Sequence, residues 1–180
     1  EASTYDAEKT LFEANNFSKK ISRIDGVICI ASDVPLTVSK TAKSLNLPCI
    51  DLESAKLATN KLAMKNCFKK NCVNTPWFSE VKSLDELKDI VLSTTEPLVI
   101  KPNDSRGSRG VLRLVDGIDL SWSYNYAKDY SPTKKVIVEK FLVGPQISTE
   151  SLIINGIAYT PGFSDRNYEF INKYHPFVIE

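Results

Sequence analysis

Between Trp77 and Leu142, short apolar runs alternate with two helix-length stretches in a pattern that few folds accommodate. "PWFSEV" reads as a strand, "SLDELKDIVL" as a helix, "EPLVIK" and "GVLRLV" as two strands, "DLSWSYNYAKDY" as a second helix and "KKVIVEKFL" as a further strand. The strand runs are short, β-branched and bounded by turn residues. Ser83 and Glu86 stand at capping-box spacing, and Leu84, Leu87 and Val91 then fall on one inward face of the helix. The order β-α-β-β-α-β predicts a split-βαβ module in which two helices cover one face of a sheet.

The flanks differ in character. Residues 5–20 predict a helix marked by Leu11, Phe12 and Phe17. "DGVICIAS" predicts a buried strand, followed by a helix capped by Asp33, with Pro35 in its first turn and Val34, Val38, Ala42 and Leu45 on one face. "NLPCI" predicts a return to a short strand, the last step of a parallel α/β unit, and a helical stretch follows over about 53–70. Beyond the module, "PQISTESLII", "NGIAYTPGFSD" and "HPFVIE" read as antiparallel strands, and Asn155-Gly156 is a two-residue hairpin signal. The expected division is 1–74, the tail of a parallel unit with a linker helix; 75–139, the α+β module; and 140–180, the opening of an antiparallel sheet. The chain opens at Glu1 and stops in the apolar run "HPFVIE", an unfinished strand, so a piece of a longer protein is expected.

Charge narrows the function classes. Lys and Arg number 23 against 22 Asp and Glu, and no basic stripe of the kind nucleic acid requires is visible. No apolar run reaches the roughly 18–20 residues that span a bilayer, and no secretory leader is visible. The four cysteines, Cys29, Cys49, Cys67 and Cys72, form no CxxC pair, and His175 is the only histidine. Reduced thiols and a cytoplasmic protein, able to form homo-oligomers, are the expectation.

The loop "KPNDSRGSRG" holds two of the chain's seven glycines. At about nine residues it exceeds the usual hairpin connection of roughly 2–5. Gly107 and Gly110 let backbone approach a ligand, Ser105 and Ser108 bring hydroxyls, Arg106 and Arg109 bring charge, and Lys101 ends a stiff strand. The loop joins two strands and lacks Gly-Lys-Ser/Thr, which excludes both a Walker A loop and a Rossmann fingerprint. A phosphate cradle and a solvated turn both stand on composition alone.

With its surroundings, the stretch resembles the ATP-grasp superfamily, whose members carry Lys-Pro-x4-Gly-Ser-x-Gly-Val in a β-α-β-β-α-β lid; "KPNDSRGSRGV" fits each of these positions. The resemblance runs from "DGVICI" onward, and it leans towards ligases that act on amino acids, with the carbamoyl-phosphate synthase large chain and biotin carboxylase sharing the plan. It implies an α+β fold made of the end of a parallel unit, the lid and the start of an antiparallel core. It also implies ATP as cofactor and a small carboxylate as substrate. "NKLAMKNCFKKNCVNTP" resembles the segment that supplies a nucleotide-binding lysine, Lys61, and "VIVEKFLVGPQIS" resembles the adenine-binding linker. Lys61 and Lys101 would then hold the α- and β-phosphates, with the loop through Ser105, Gly107, Ser108 and Gly110 closing over the β- and γ-phosphates.

In that linker Glu139 breaks an apolar run just where the strand exits, and a carboxylate there accepts a hydrogen bond from the adenine amine. Lys140 and Leu142 offer backbone groups to the purine edge, and Phe141 and Leu142 offer apolar surface to its faces. The family's acid for the ribose is replaced here by Gln146, which lacks the strength of a charged acceptor; Glu150 reads equally as a substitute acid and as a solvent-facing strand residue. Arg166, beside Asp165, is the candidate for clamping a substrate carboxylate, against the bland reading of a surface ion pair, and His175 is read as structural.

The reaction implied is activation of a carboxylate as an acyl phosphate for attack by an amine or similar nucleophile. Mg²⁺ is implied as well, through a Glu and a Glu-x-Asn pair expected beyond Glu180, so these 180 residues alone are expected to be inactive. A non-catalytic nucleotide-binding module and a plain α+β interaction domain are the rival readings.

Overall fold

The computed structural model of the chain describes residues 2–30 and 32–166. The chain divides into two compact units, one formed by Glu1–Thr75 with Asn103–Arg106 and the other by Pro76–Pro102 with Gly107–Glu180.

The first unit is helical among its described residues. Helix α1 (Ala7–Lys20) starts from Asp6, whose side chain accepts the Lys9 N–H. Helix α2 (Pro35–Ser44) starts one residue later than expected: Val34 is the N-cap and no side chain caps it, so Asp33 does not take that role. Proline is pre-organised for the first helical position and disfavours the helical region for the residue before it, which leaves Val34 at φ −127° and ψ 50°. The stretch expected as one helix over 53–70 is two, α3 (Leu52–Leu57) and α4 (Lys61–Lys70). The break comes from local polar competition: Thr59 Oγ1 donates to Lys56 O, and the Asn60 side chain turns forward to accept the Ala63 N–H. At the start of α3 the Ser54 backbone N–H holds the Asp51 carboxyl below its ordinary pKa.

The strands expected at "DGVICIAS" and "NLPCI" do not form among the described residues. Ile28 and Ile30 are 83% and 90% exposed, as befits apolar side chains whose strand has no neighbour. A parallel strand is held by ladders on its flanks, and the described residues of this unit supply none.

The second unit contains the expected module. Strand β1 (Phe78–Val81), helix α5 (Leu84–Leu92), strands β2 (Leu98–Pro102) and β3 (Leu112–Leu114), helix α6 (Leu120–Asp129) and strand β4 (Val136–Lys140) follow in order. The sheet order is β1-β4-β2-β3 with every neighbour antiparallel. Alternation sorts the side chains. Val81, Leu98, Ile100, Leu112, Val136 and Val138 form one core with Leu87, Tyr124 and Ala127 of the two helices. Leu84 and Val91 pack against that core, as the capping-box reading expects.

Ser83 Oγ accepts the Glu86 N–H, while the Glu86 carboxylate reaches back to the Lys82 N–H at 2.7 Å. Ser83→Ala is therefore expected to lower stability by about 1 kcal/mol in urea unfolding, with Ser83→Asp restoring it. A loss no greater than that of an exposed Ser→Ala elsewhere would show that the cap contributes nothing.

Strands β5 (Ile147–Ile154) and β6 (Ile157–Asp165) form a separate antiparallel ribbon with an irregularity between Glu150 and Leu152. Asn155 and Gly156 turn at φ 51° and 79°, both positive as a type I′ hairpin requires. "HPFVIE", His175 and Glu180 lie outside the described residues.

Candidate functional site

Strand geometry builds the central pair of the second unit. Lys101 lies opposite Ile137, and Glu139 lies opposite Val99, so the two charged residues are diagonal neighbours on one face of the β2–β4 ladder. That face is the one turned away from Ile100 and Val138, which belong to the helix-covered core. Lys101 Nζ meets Glu139 Oε1 at 2.7 Å. Glu139 is only 4% exposed, so its carboxylate has lost most of its hydration, a cost that the neighbouring ammonium offsets. Glu139 is therefore not a solvated strand end. Lys101 sits on the stiff β2 strand and presents a fixed positive charge.

Past Glu139 the chain leaves the sheet through two backbone hydrogen bonds. The Lys140 N–H donates to Trp77 O at 2.9 Å, and the Phe141 N–H donates to Pro97 O at 2.7 Å. With its N–H engaged, the backbone group that Lys140 can offer a purine edge is its carbonyl. The Arg113 guanidinium stands 4.7 Å from the Phe141 ring centroid, a cation–π contact that orients the ring. Lys140 Nζ pairs with Glu96 at 2.8 Å, and Leu142 is exposed.

The loop after β2 has two differently built ends. In the first unit, the Lys61 N–H donates to Asn103 O at 2.9 Å, and Lys61 Nζ donates to Ser105 O at 2.7 Å. The Arg106 guanidinium lies 5.2 Å from the Tyr5 ring centroid. In the second unit, Gly107 and Ser108 have φ 61° and 54°, and the Val111 N–H closes onto Ser108 O at 3.2 Å. Gly110, at φ 79°, is buried so closely that an added Cβ would stand 2.7 Å from both Pro102 Cγ and Tyr130 Cβ. Gly110 thus has a packing reason to be glycine in addition to the freedom its φ demands.

The ribbon brings two further candidates together. The Arg166 N–H donates to Gln146 O at 2.9 Å at the open end of the hairpin, and Asp165 lies across from Ile147. Glu150 is exposed on β5. Among the described residues no group of three or more His, Cys, Asp or Glu could hold a metal ion, and no helix is long and apolar enough to cross a membrane.

Two residues near these candidates escaped the sequence reading. Asn103 is buried and hydrogen-bonded through both its backbone and its side chain, although it sits in plain view within the loop motif. Arg113 belongs to no motif in the sequence; only the β2–β3 register, which sets it opposite Val99, puts it on the Lys101 face.

No protein-family profile matches the chain. A D-alanine–D-alanine ligase of Polynucleobacter asymbioticus is 29% identical over 127 residues, which cover 66% of this chain and 36% of that protein. The chain spans between 10% and 36% of the length of the curated relatives it matches. Among solved structures, the L-amino acid ligase of Bacillus licheniformis superposes with a TM-score of 0.68 at 24% identity, over 89% of this chain and 36% of that one. The biotin carboxylase domain of the Hydrogenobacter thermophilus 2-oxoglutarate carboxylase, solved with MgADP, superposes with a TM-score of 0.70 at 18% identity, over 89% and 37%. Fold and motif agree: the chain has the fold of the ATP-grasp ligases that its loop and linker residues resemble.

Proposed function

We propose that this chain is the nucleotide-binding part of an ATP-dependent ligase that joins a carboxylate to an amine. The observation that carries the reading is the Lys101–Glu139 pair, a nearly buried carboxylate and a strand-held ammonium 2.7 Å apart beside the linker. A purine amine is a donor that such a carboxylate accepts, and a phosphate is an anion that such an ammonium attracts. In this reading Lys61, Lys101 and the Ser105–Gly110 loop are the residues assigned to the phosphates, and Glu139, Lys140, Phe141 and Leu142 those assigned to the base.

In this reading Glu139 selects adenine, because guanine presents a carbonyl oxygen where adenine presents its amine, and two acceptors repel. Phe141 supplies a ring face for stacking, and Gln146 an uncharged acceptor for the ribose. Bound ATP supplies the phosphoryl group that turns a carboxylate into an acyl phosphate for the amine to attack. The protein's part is to hold charge and exclude water, which the loop does by folding over the phosphates. Arg166 is the residue assigned to the substrate carboxylate. The names of the relatives favour an amino acid as that substrate. Magnesium ligands are not assigned to any described residue.

Calorimetric titration of the chain with non-hydrolysable analogues of ATP and GTP tests this. The ATP analogue is expected to bind with a Kd of about 10–100 μM, and the GTP analogue at least about tenfold more weakly. Absence of heat with the ATP analogue, or equal affinity for both, would falsify the assignment of Glu139 to the base.

A further inference from the structure

Asn103 is out of place for a loop residue. It is only 2% exposed, although a buried amide costs stability unless its groups are matched. Only part of it is matched: Oδ1 accepts the Leu62 N–H at 2.9 Å, and Nδ2 has no hydrogen-bond partner among the described residues. A residue retained at that cost is there for its acceptor.

The acceptor completes an unusual arrangement at the start of α4. The Lys61 N–H goes to Asn103 O, the Leu62 N–H to Asn103 Oδ1 and the Ala63 N–H to Asn60 Oδ1, each at 2.9 Å. The donors that a helix normally leaves open in its first turn are therefore consumed by protein, two of them by one residue far away in sequence. Such a helix end has no open N–H in that turn to offer an anion, and what it contributes is the Lys61 side chain. That side chain is tied to the same loop segment through Ser105 O at 2.7 Å.

From this we infer that Asn103 is a positioning residue for Lys61: it fixes the first turn of α4 to the loop base so that the ammonium is held in place before nucleotide arrives. The inference rests on the nucleotide-binding reading and adds a residue to it. Its physical content is preorganisation. Without the Oδ1 acceptor the Leu62 N–H is orphaned, the first turn frays, and binding must then order Lys61 as well as contact it.

A double-variant cycle tests this with the ATP analogue as probe. Affinity is measured for the unaltered chain, Asn103→Leu, Asn103→Asp, Lys61→Ala and the Asn103→Leu/Lys61→Ala pair, each first checked for native near-ultraviolet circular dichroism. Asn103→Leu is expected to weaken binding about tenfold, Asn103→Asp, which keeps the acceptor, less than about threefold, and the double variant no more than Lys61→Ala alone. Should the leucine variant not fold, Asn103→Ala, which inserts no extra bulk, takes its place. A merely structural asparagine would weaken binding equally in both Lys61 backgrounds, and that additivity overturns the inference, as does unchanged affinity in Asn103→Leu. Failure of the unaltered chain to bind overturns the nucleotide reading itself, and the two failures are told apart by that first titration.

Discussion

A Gly110→Ala variant is expected to unfold at much lower urea than the unaltered protein, with a loss of about 3 kcal/mol. Two penalties combine. The backbone at φ 79° is one that a side chain occupies at a cost of about 1 kcal/mol. The new methyl also meets Pro102 Cγ and Tyr130 Cβ at 2.7 Å, closer than carbon atoms tolerate. A proline ring and a Cβ next to backbone have no flexible end to swing away, so the strain spreads into β2 and the end of α6, adding about 1–3 kcal/mol. Gly107 supplies the internal comparison. Its φ is 61°, but nothing lies within 4 Å of an added Cβ, so Gly107→Ala is expected to cost only about 1 kcal/mol. Equal losses in the two variants would show that the contacts around Gly110 are looser than these distances imply.

The second large effect is expected from Lys101→Met, which should alter folding and binding together. The substitution takes from the Glu139 carboxylate, 4% exposed, the ammonium 2.7 Å away. Breaking a buried pair from one side costs about 3–5 kcal/mol. The Lys101 side chain keeps 22% of its exposure, which places the expected loss nearer about 2 kcal/mol. Affinity for the ATP analogue should fall about thirtyfold at the same time, since a fixed positive charge is gone. The Lys101→Met/Glu139→Gln pair separates the two roles, because it neutralises both partners: thermal unfolding should recover most of the stability while calorimetry still finds weak binding. If stability and affinity recover together, the lysine acts on nucleotide only by keeping the site folded. If Lys101→Met binds as well as the unaltered chain, Lys101 has no part in phosphate recognition.

The parts of the fold that local chemistry specifies were readable in the residues. Ser83 capping α5, Asn155-Gly156 turning the ribbon and the alternation of Leu98, Ile100, Val136 and Val138 each act over a few positions, and each appears where expected. The readings that failed needed information the local sequence does not contain. "DGVICIAS" and "NLPCI" have the composition of strands, but a strand exists only through its neighbours, and hydrophobicity cannot say whether neighbours are present. Asp33 lost its capping role to the steric demand of a proline two residues on, and Asn60, a good capping residue in the middle of an expected helix, was the overlooked sign that the helix divides. At the site, the motif pointed to Lys101 and Glu139 one at a time. Their meeting follows from the offset that sets Lys101 against Ile137, a register that no single strand reveals.

The β5–β6 ribbon described above carries Ile147, Leu152, Ile153, Tyr159 and Phe163 in exposed positions, and among the described residues its sheet contains no third strand. Such a ribbon adds little to the cooperative unfolding of its unit, since substitutions at exposed positions usually move stability by less than about 0.5 kcal/mol. Titrations on variants of Gln146 and Arg166 at its open end are accordingly expected to need little correction for melting, an independence that Lys101 and Gly110, packed into the four-stranded module, do not have.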